Sequence, residues 1–269
     1  MIGEGSFGRV FQYFNHDDGK TYAVKELNLE VLNKKIDDAE IVIKKEIELL
    51  SKINHKNIIK YYGSFKKHDK LHIILEYCQS GSLLSLLKKY KHFNESMIKG
   101  YITQILDGLE YLHYHNIIHR DIKCANILIG KDNICKLTDF GEAKIIKKDL
   151  SSNSSIHGTP NWMAPEIIQG LNANRFSDIW SIGCTVIEMF QGEPPYNDKK
   201  DMMSIMNCIC IKKELPKIPK GMSDQLRDFV KTCLVFEPSQ RYNIYELKRH
   251  KFIQGNDSSS SSNISAMQL

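Results

Sequence analysis

The 269-residue chain lacks several features that would place it in a particular class of protein. No run approaches the ~20 consecutive apolar residues that a membrane-spanning helix needs. The start, Met1 to Glu4, has neither the basic nor the apolar region of a signal peptide. No long basic tract occurs either, so the net charge of +5 indicates a solvated surface and not a nucleic-acid partner.

The cysteines lack a pattern typical of disulfides or of a zinc site. There are seven, an odd number, scattered between Cys78 and Cys233. Cys208 and Cys210 are one residue apart, which is the wrong spacing for a zinc knuckle. We therefore expect reduced thiols and a cytoplasmic location.

The composition is that of a folded chain, with 42% hydrophobic residues. A chain of this length can bury about 70–75% of the surface that it exposes when unfolded, so it needs no metal or disulfide for stability. The tail 254–269 contains five consecutive serines and is predicted to be disordered.

The apolar pattern changes character near residue 78. Before it, a hairpin signal at Asp17–Gly19 and a helical pattern over about 37–53 accompany short β-like runs. These runs are Val10–Phe14, Thr21–Leu27 and Leu71–Tyr77. From Gly81 onward the pattern is helical, with Asn94 as a predicted N-cap and a second apolar helix over Trp180–Phe190.

Three glycines near the start, Gly3, Gly5 and Gly8, have the G-x-G-x-x-G spacing of a phosphate-binding loop. Dinucleotide-binding turns share this spacing, but they lead directly into a helix. Here the loop continues into the β-like run from Val10 and a hairpin turn, which favours a loop that lies over a nucleotide triphosphate. A glycine-rich turn without a ligand is the alternative.

Ala23 and Lys25 are two positions apart in a predicted strand and therefore share a face. If that face is turned toward the loop, Ala23 leaves room for a flat base and Lys25 reaches phosphate oxygens. Glu46, on the apolar side of the predicted helix, is an acid that could hold Lys25. Each charged residue taken alone is more typical of an exposed surface.

Three further motifs follow in a characteristic order. They are His119-Arg-Asp-Ile-Lys-Cys-Ala-Asn126, Asp139-Phe-Gly141 and Ala164-Pro-Glu166. With the glycine loop and Ala23-Val-Lys25 they make up the signature set of protein kinases. The chain thus resembles a eukaryotic protein kinase from Ile2 to about Ile253.

This resemblance implies an α+β, bilobal fold in residues 1–253. A small antiparallel β N-lobe with one helix would occupy about 1–78, and a larger, mainly helical C-lobe about 79–253. It also implies ATP and Mg²⁺ as ligands and proteins as substrates. The usual first strand is largely missing, so we expect a shortened N-terminus from which Ile2 must cap the nucleotide.

The resemblance also implies roles for single residues. Asp121 would position the substrate hydroxyl and accept its proton, and Lys123 would neutralise charge that develops on the γ-phosphate. Lys25 would hold the α- and β-phosphates, with Glu46 orienting it. Asn126 and Asp139 would hold magnesium. The remaining nucleotide contacts would come from Ile2, Gly3, Glu4, Gly5, Ser6, Phe7, Gly8, Val10, Ala23, Leu75, Glu76, Cys78 and Leu128.

Other motif residues match structural positions of the family. Asp178 would anchor the backbone of the catalytic loop, and Glu166 with Arg241 would form a buried ion pair. His119 would be a packing residue and not a general base.

Lys123 together with Thr159 resembles the serine/threonine branch of the family. Segments such as Ser181–Met189 resemble MAP kinase kinase kinases, whose substrates are MAP kinase kinases. Ste20-like kinases are the alternative branch, and a non-catalytic kinase-fold scaffold is the alternative from another class. Activation by an upstream kinase or by autophosphorylation is expected, with Ser155 as the leading site.

Overall fold

The computed structural model describes residues 1–5, 8–29, 47–139, 144–145 and 159–255. Several residues singled out above lie outside these ranges. They are Ser6, Phe7, Glu46, Phe140, Gly141, Ser155 and the tail beyond Gly255.

The N-terminal part is one antiparallel sheet of five strands in the order β1-β2-β3-β5-β4. The strands are β1 (Gly3–Gly5), β2 (Gly8–Asn15), β3 (Lys20–Asn28), β4 (Tyr61–Lys67) and β5 (Lys70–Glu76). The predicted strands around Val10, Thr21 and Leu71 are confirmed. The alternation rule misses β4 because its sequence YYGSFKK does not alternate between apolar and polar residues, and five of its seven residues are exposed.

Gly8 is needed where β2 crosses close to β3. A Cβ atom at this position would lie 2.1 Å from the carbonyl oxygen of Glu26, well inside contact distance. The third glycine of the loop is therefore explained by backbone packing, independently of any ligand.

The C-terminal part is mainly helical. Its helices are α1 (Leu83–Tyr90), α2 (Glu95–Tyr114), α3 (Pro165–Ile168), α4 (Arg175–Gln191), α5 (Met202–Met206), a π-helix (Asn207–Ile211), α6 (Asp224–Cys233), α7 (Ile244–Lys248) and α8 (Lys251–Gln254). The α+β bilobal architecture of a protein kinase is thus present.

Asn94 caps α2 as predicted, because its side-chain oxygen accepts a hydrogen bond of 2.9 Å from the Met97 amide. The helix predicted from Trp180 begins earlier, at Arg175. Its first turn is capped by a reciprocal pair between Asn174 and Ser177, and this polar turn carries no apolar periodicity.

The core centres on α2 and α4. Ile98, Ile102, Ile105 and Leu109 of α2 are fully buried, and α4 is buried along nearly its whole length. In the predicted helix 37–53, residues 47–52 are helical, and Leu49 and Leu50 pack into the same core. A helix that is apolar on all sides is buried on all sides, which accounts for the position of α4.

Two small two-stranded sheets flank the segment 119–126. β6 (Ile117–Ile118) pairs with β9 (Lys144–Ile145), and β7 (Ile127–Ile129) pairs with β8 (Cys135–Leu137). The Leu137 amide also donates to the carbonyl of Asn57 at 2.9 Å, which ties β8 to the segment before β4. The segment is consequently anchored at both ends.

Within the described ranges, none of the helices combines the length and apolar character required to cross a bilayer. All seven cysteines lie in these ranges, and all are free thiols, six of them buried.

Candidate active site

Asp178, at the start of α4, fixes the backbone of the segment 119–126. Its carboxylate accepts hydrogen bonds from the amides of His119 at 3.0 Å and Arg120 at 2.8 Å. Burial alone would raise its pKa, but the hydrogen bond from His113 at 2.7 Å and these amides lower it below the ordinary value. Asp178 therefore remains charged and holds Arg120 at a left-handed φ of 72°, a conformation that a non-glycine residue adopts only when constrained.

His119 is a buried structural residue, as the sequence predicts. The Asp121 amide donates to Nδ1 at 3.3 Å, so Nε2 carries the proton and donates to the Thr138 carbonyl at 3.1 Å. Burial lowers the pKa of His119, and the nearby carboxylates offset this only in part. The imidazole is thus a neutral spacer between two backbone segments and does not reach the surface.

The carboxylate of Asp121, the predicted catalytic group of the segment, is contacted by three hydrogen-bond donors. Lys123 Nζ lies 2.7 Å from Oδ2, and Asn126 Nδ2 donates to the same oxygen at 2.7 Å. Thr159 Oγ1 donates to Oδ1 at 3.1 Å, and Lys123 Nζ also donates to Thr159 Oγ1. The structure therefore brings together four of the residues singled out in the sequence.

Lys25 and Asp139 meet above this cluster. Lys25 Nζ lies 3.2 Å from Asp139 Oδ1, although the two residues are 114 positions apart in the chain. Partial desolvation raises the pKa of Asp139, but the Lys25 ammonium more than offsets it and holds the pKa below the ordinary value. Asp139 is accordingly an anionic oxygen donor at the edge of the site.

Asn126 and Asp139 have the donor chemistry that magnesium prefers. The Asn126 amide nitrogen donates to Asp121, which leaves Oδ1 as the atom suited to a cation. Across the described part of the chain, no group of three or more His, Cys, Asp or Glu residues forms a complete metal site. Two side-chain oxygens suit an ion whose other ligands are waters and phosphates, as is usual for Mg²⁺.

One face of the sheet gathers the predicted nucleotide contacts. The register pairs Val10 with Lys25 and Ala23 with Leu75, and directly paired residues share a face. Ala23 is buried and Lys25 partly so. Ile2 joins them through its amide, which donates to the Val10 carbonyl at 2.8 Å. The face therefore combines apolar walls with one ammonium group.

The chain leaves the sheet between Leu75 and Cys78. Glu76 turns its carboxylate away to Lys136 Nζ at 2.8 Å, and its amide donates to the Lys60 carbonyl at 2.9 Å. Cys78 is buried, and burial raises its pKa to about 12, so it is an uncharged wall. Leu128 of β7 forms an isolated antiparallel bridge with Ser82, which follows Cys78 closely in the chain.

Sequence reasoning missed two polar residues of the site. Glu188 accepts hydrogen bonds from the Cys124 amide and from Trp162 Nε1, each at 3.0 Å, and so ties the segment 119–126 to the segment after Thr159. Burial raises its pKa. The only sequence signal for Glu188 was that it is a single acid in the mostly apolar run from Trp180. The Lys136–Glu76 pair is long-range and gave no local signal.

Glu166 and Arg241 form the expected buried pair. Two parallel hydrogen bonds of 2.7 Å join the guanidinium to the carboxylate, and both side chains are almost fully buried. This arrangement clamps α3 to the segment before α7.

A family model described as "Protein kinase domain" matches residues 1–253. Mitogen-activated protein kinase kinase kinase A of Dictyostelium discoideum is 40% identical over 259 residues, which cover 96% of this chain and 28% of that protein. Mitogen-activated protein kinase kinase kinase YODA of Arabidopsis thaliana is 42% identical, over 94% of this chain and 29% of that protein. Cytokinesis protein sepH of Aspergillus niger is 43% identical, over 94% of this chain and 18% of that protein.

The chain spans less than a third of the length of each of these relatives. The match to the family nevertheless covers nearly all of the chain, and it includes every segment that forms the site. Together with the five-stranded sheet, the helical second part and the cluster around Asp121, it shows that the chain belongs to the protein kinase family.

Proposed function

We propose that this chain is a serine/threonine protein kinase that transfers the γ-phosphate of ATP to hydroxyl groups of proteins. The observation that carries the proposal is the cluster in which Lys123, Asn126 and Thr159 all contact the Asp121 carboxylate. A carboxylate held in this way has a fixed direction, and phosphoryl transfer depends more on positioning than on basicity.

In this proposal Asp121 orients the acceptor hydroxyl and takes its proton. Lys123, 2.7 Å from Asp121, supplies a positive charge next to the oxygens on which negative charge develops. Thr159 contacts both residues and forms a floor suited to the short side chains of serine and threonine.

Protein kinases use ATP together with a divalent cation. Bound Mg²⁺ would neutralise charge on the phosphates, and Asn126 and Asp139 are the residues proposed to hold it. Lys25 would bind the α- and β-phosphates, with Glu46 as its proposed orienting acid. Val10, Ala23, Leu75 and Leu128 would enclose the base, and the Glu76 carbonyl and the Cys78 backbone would hydrogen-bond to it.

The glycine loop is proposed to cover the phosphates. The residues in question are Ile2, Gly3, Glu4, Gly5, Ser6, Phe7 and Gly8. Its support is the pairing of β1 with β2 and the position of Val10 beside Lys25.

We further infer the branch and the regulation. The similarity to two proteins named mitogen-activated protein kinase kinase kinases supports that branch, with MAP kinase kinases as substrates. Phosphorylation of Ser155, by an upstream kinase or by the chain itself, is the proposed activating step. The proposed catalytic unit is 1–253, with lobes of about 1–78 and 79–253, and the proposed location is the cytoplasm.

Two alternatives are separated by one assay. The purified chain is incubated with labelled ATP, Mg²⁺ and a panel of catalytically inactive MAP kinase kinases, MAP kinases and generic proteins, and the phosphorylated sites are mapped by mass spectrometry. Preferential labelling of MAP kinase kinases on serine or threonine supports the proposed branch. Labelling confined to other proteins favours the Ste20-like alternative, and the absence of any transfer favours the scaffold.

The proposed activating site is tested separately. In an active, phosphorylated preparation, Ser155→Ala is compared with Ser151→Ala. Loss of activity only in Ser155→Ala supports the proposal. Loss only in Ser151→Ala, or in neither variant, contradicts it.

A further inference from the structure

An exposed surface on α5, the π-helix and the following loop combines apolar side chains with positive charge. Met203 is 74% exposed and Ile211 75% exposed, and Met202 and Leu215 are also exposed. Segment 198–220 holds six lysines and three acidic residues, an excess of three positive charges out of the net +5 of the whole chain. We name this region, from Asp198 to Lys220, the α5 surface.

The acidic residues of the α5 surface are already engaged. Asp198 Oδ2 lies 3.2 Å from Lys199 Nζ and 2.9 Å from Lys217 Nζ. Asp201 accepts a hydrogen bond from the Ser204 amide at 2.7 Å as the cap of α5, and Glu214 accepts one from the Cys208 thiol at 2.8 Å.

The remaining lysines of the α5 surface are accessible to a binding partner. Lys200, Lys212, Lys213 and Lys220 are exposed, and none has an ion pair with a carboxylate in the described residues. Lys213 lies over the Phe236 ring at 5.6 Å, which fixes its stem without neutralising its charge.

The helix geometry aligns the exposed apolar groups. Met203, Asn207 and Ile211 are four residues apart and all exposed, whereas Ile205, Cys208 and Ile209 are buried. The Lys212 amide donates to the Asn207 carbonyl, the i→i+5 bond that defines a π-turn. Widened turns of this kind occur often at functional sites, and here the turn keeps Ile211 in line with Met203.

The α5 surface adjoins the proposed substrate floor. Helix α5 packs against the turn Pro160–Trp162, which follows Thr159 directly. Asn161 Nδ2 donates to the Pro195 carbonyl at 2.7 Å, which connects this turn to the chain shortly before the α5 surface. A substrate whose hydroxyl lies at Asp121 can therefore extend onto the α5 surface.

We propose that the α5 surface docks an acidic, amphipathic segment of the protein substrate, and this inference rests on the kinase activity proposed above. Four unpaired lysines around exposed Met, Ile and Leu side chains complement glutamates that flank an apolar stripe. Nucleic acid is disfavoured because the surface offers lysine and aliphatic groups, whereas nucleic-acid sites favour arginine and aromatic rings.

The binding test uses fluorescence anisotropy. The probe is a labelled 14-residue peptide with leucines at helical spacing and glutamates elsewhere, and its control is a scrambled peptide of the same composition. The two test variants are Met203→Ser/Ile211→Ser and Lys212→Glu/Lys213→Glu. The matched controls, on exposed residues elsewhere, are Tyr114→Ser and Lys20→Glu/Lys131→Glu.

We expect the probe to bind the unmodified protein about tenfold more tightly than the scrambled peptide, and both test variants to lose about tenfold in affinity. The control variants should bind as the unmodified protein does. Equal affinity for the two peptides, or test variants that bind the probe normally, overturns the proposal. Tighter binding of a single-stranded DNA oligonucleotide, lost in Lys212→Glu/Lys213→Glu, overturns it in favour of a nucleic-acid surface. Dimers lost in Met203→Ser/Ile211→Ser overturn it in favour of self-association.

A kinetic test separates docking from catalysis. A short Ser/Thr acceptor peptide is compared with the same acceptor fused through a flexible linker to the amphipathic segment. Fusion should lower KM about tenfold for the unmodified protein and leave it unchanged for the test variants, with kcat unaffected. If neither substrate is phosphorylated while the probe still binds, the proposed activity is wrong and the docking surface stands. If both are phosphorylated with equal KM, the docking surface is wrong and the activity stands.

Discussion

At the scale of the residue, Lys25 is the charged group that connects the sheet to the lower part of the site. Its ammonium lies 3.2 Å from Asp139, and its stem is largely covered by the face that also holds Ala23. Because methionine keeps a long apolar stem without the charge, Lys25→Met should fold normally and lose at least about a hundredfold in phosphoryl transfer. The matched control is Lys70→Met on β5, which removes a surface ion pair with Glu26 and should leave the rate unchanged.

The outcome is read from initial rates together with thermal unfolding. A folded Lys25→Met protein that transfers phosphate at the normal rate contradicts the proposed role of this lysine. A rate loss of equal size in Lys70→Met would show that the effect is not specific to Lys25.

His119 makes the stability of the protein depend on pH. Burial lowers its pKa in the folded state, so below pH 6.5 the unfolded chain takes up a proton that the folded chain excludes. The contribution of His119 is therefore full above pH 6.5 and declines as the pH falls, with a limiting slope of about 1.4 kcal/mol per pH unit for one proton. His119→Gln, which does not titrate, should show a shallower decline between pH 6.5 and 5 in urea unfolding. Equal slopes in the two proteins would mean that this imidazole is charged in the fold.

At the scale of the element, the end of α4 depends on Gly192. Its φ is 81°, and a Cβ atom there would lie 1.8 Å from the carbonyl oxygen of Lys91. Gly170 has a similar φ of 75° but no neighbour within 4 Å of the same position, so it isolates the cost of backbone strain.

We expect Gly170→Ala to lower the free energy of unfolding by about 1–2 kcal/mol, the cost of a left-handed alanine. Gly192→Ala should lower it by at least about 2 kcal/mol more, because helix α4 or the Lys91 segment must shift to relieve the clash. Urea denaturation of the two variants provides the comparison. Equal losses would mean that the contact with Lys91 is easily relaxed.

Elements with a strong local pattern were predictable from the sequence, and those fixed by distant contacts were not. Asn94 and the apolar positions of α2 gave that helix correctly, and the shared face of Ala23 and Lys25 followed from the alternation of side chains in a strand. The start of α4 was missed because Asn174 and Ser177 cap each other through polar groups. Likewise, β4 is held by its pairing with β5 and not by its own mostly polar residues.

Some contacts of the site were likewise predictable from the sequence, and others were not. The motif residues Asp121, Lys123 and Asn126 are close in sequence, so their grouping was predictable. The contacts of Glu188 and of Lys136 join segments about 60 residues apart and required the fold. The placement of Glu46 and Ser155 remains a prediction from the sequence.

At the scale of the whole molecule, the sheet and the helical part each position one carboxylate of the site. The sheet brings Lys25 to Asp139, and the helical part brings Asp178 and Glu188 to the backbone of the segment that carries Asp121. In the proposed function, Lys25 and Asp139 act on the nucleotide and its cation, and Asp121 acts on the acceptor hydroxyl. We propose that Asp121 directs phosphate to serine and threonine.

The most direct measurement uses three peptides that differ only in the acceptor, which is serine, threonine or tyrosine, with labelled ATP and Mg²⁺. We expect transfer to serine and threonine, little transfer to tyrosine, and a loss of at least about a hundredfold in Asp121→Asn, whose amide cannot accept the hydroxyl proton. Efficient labelling of the tyrosine peptide alone, or a folded Asp121→Asn protein with an undiminished rate, would contradict this proposal.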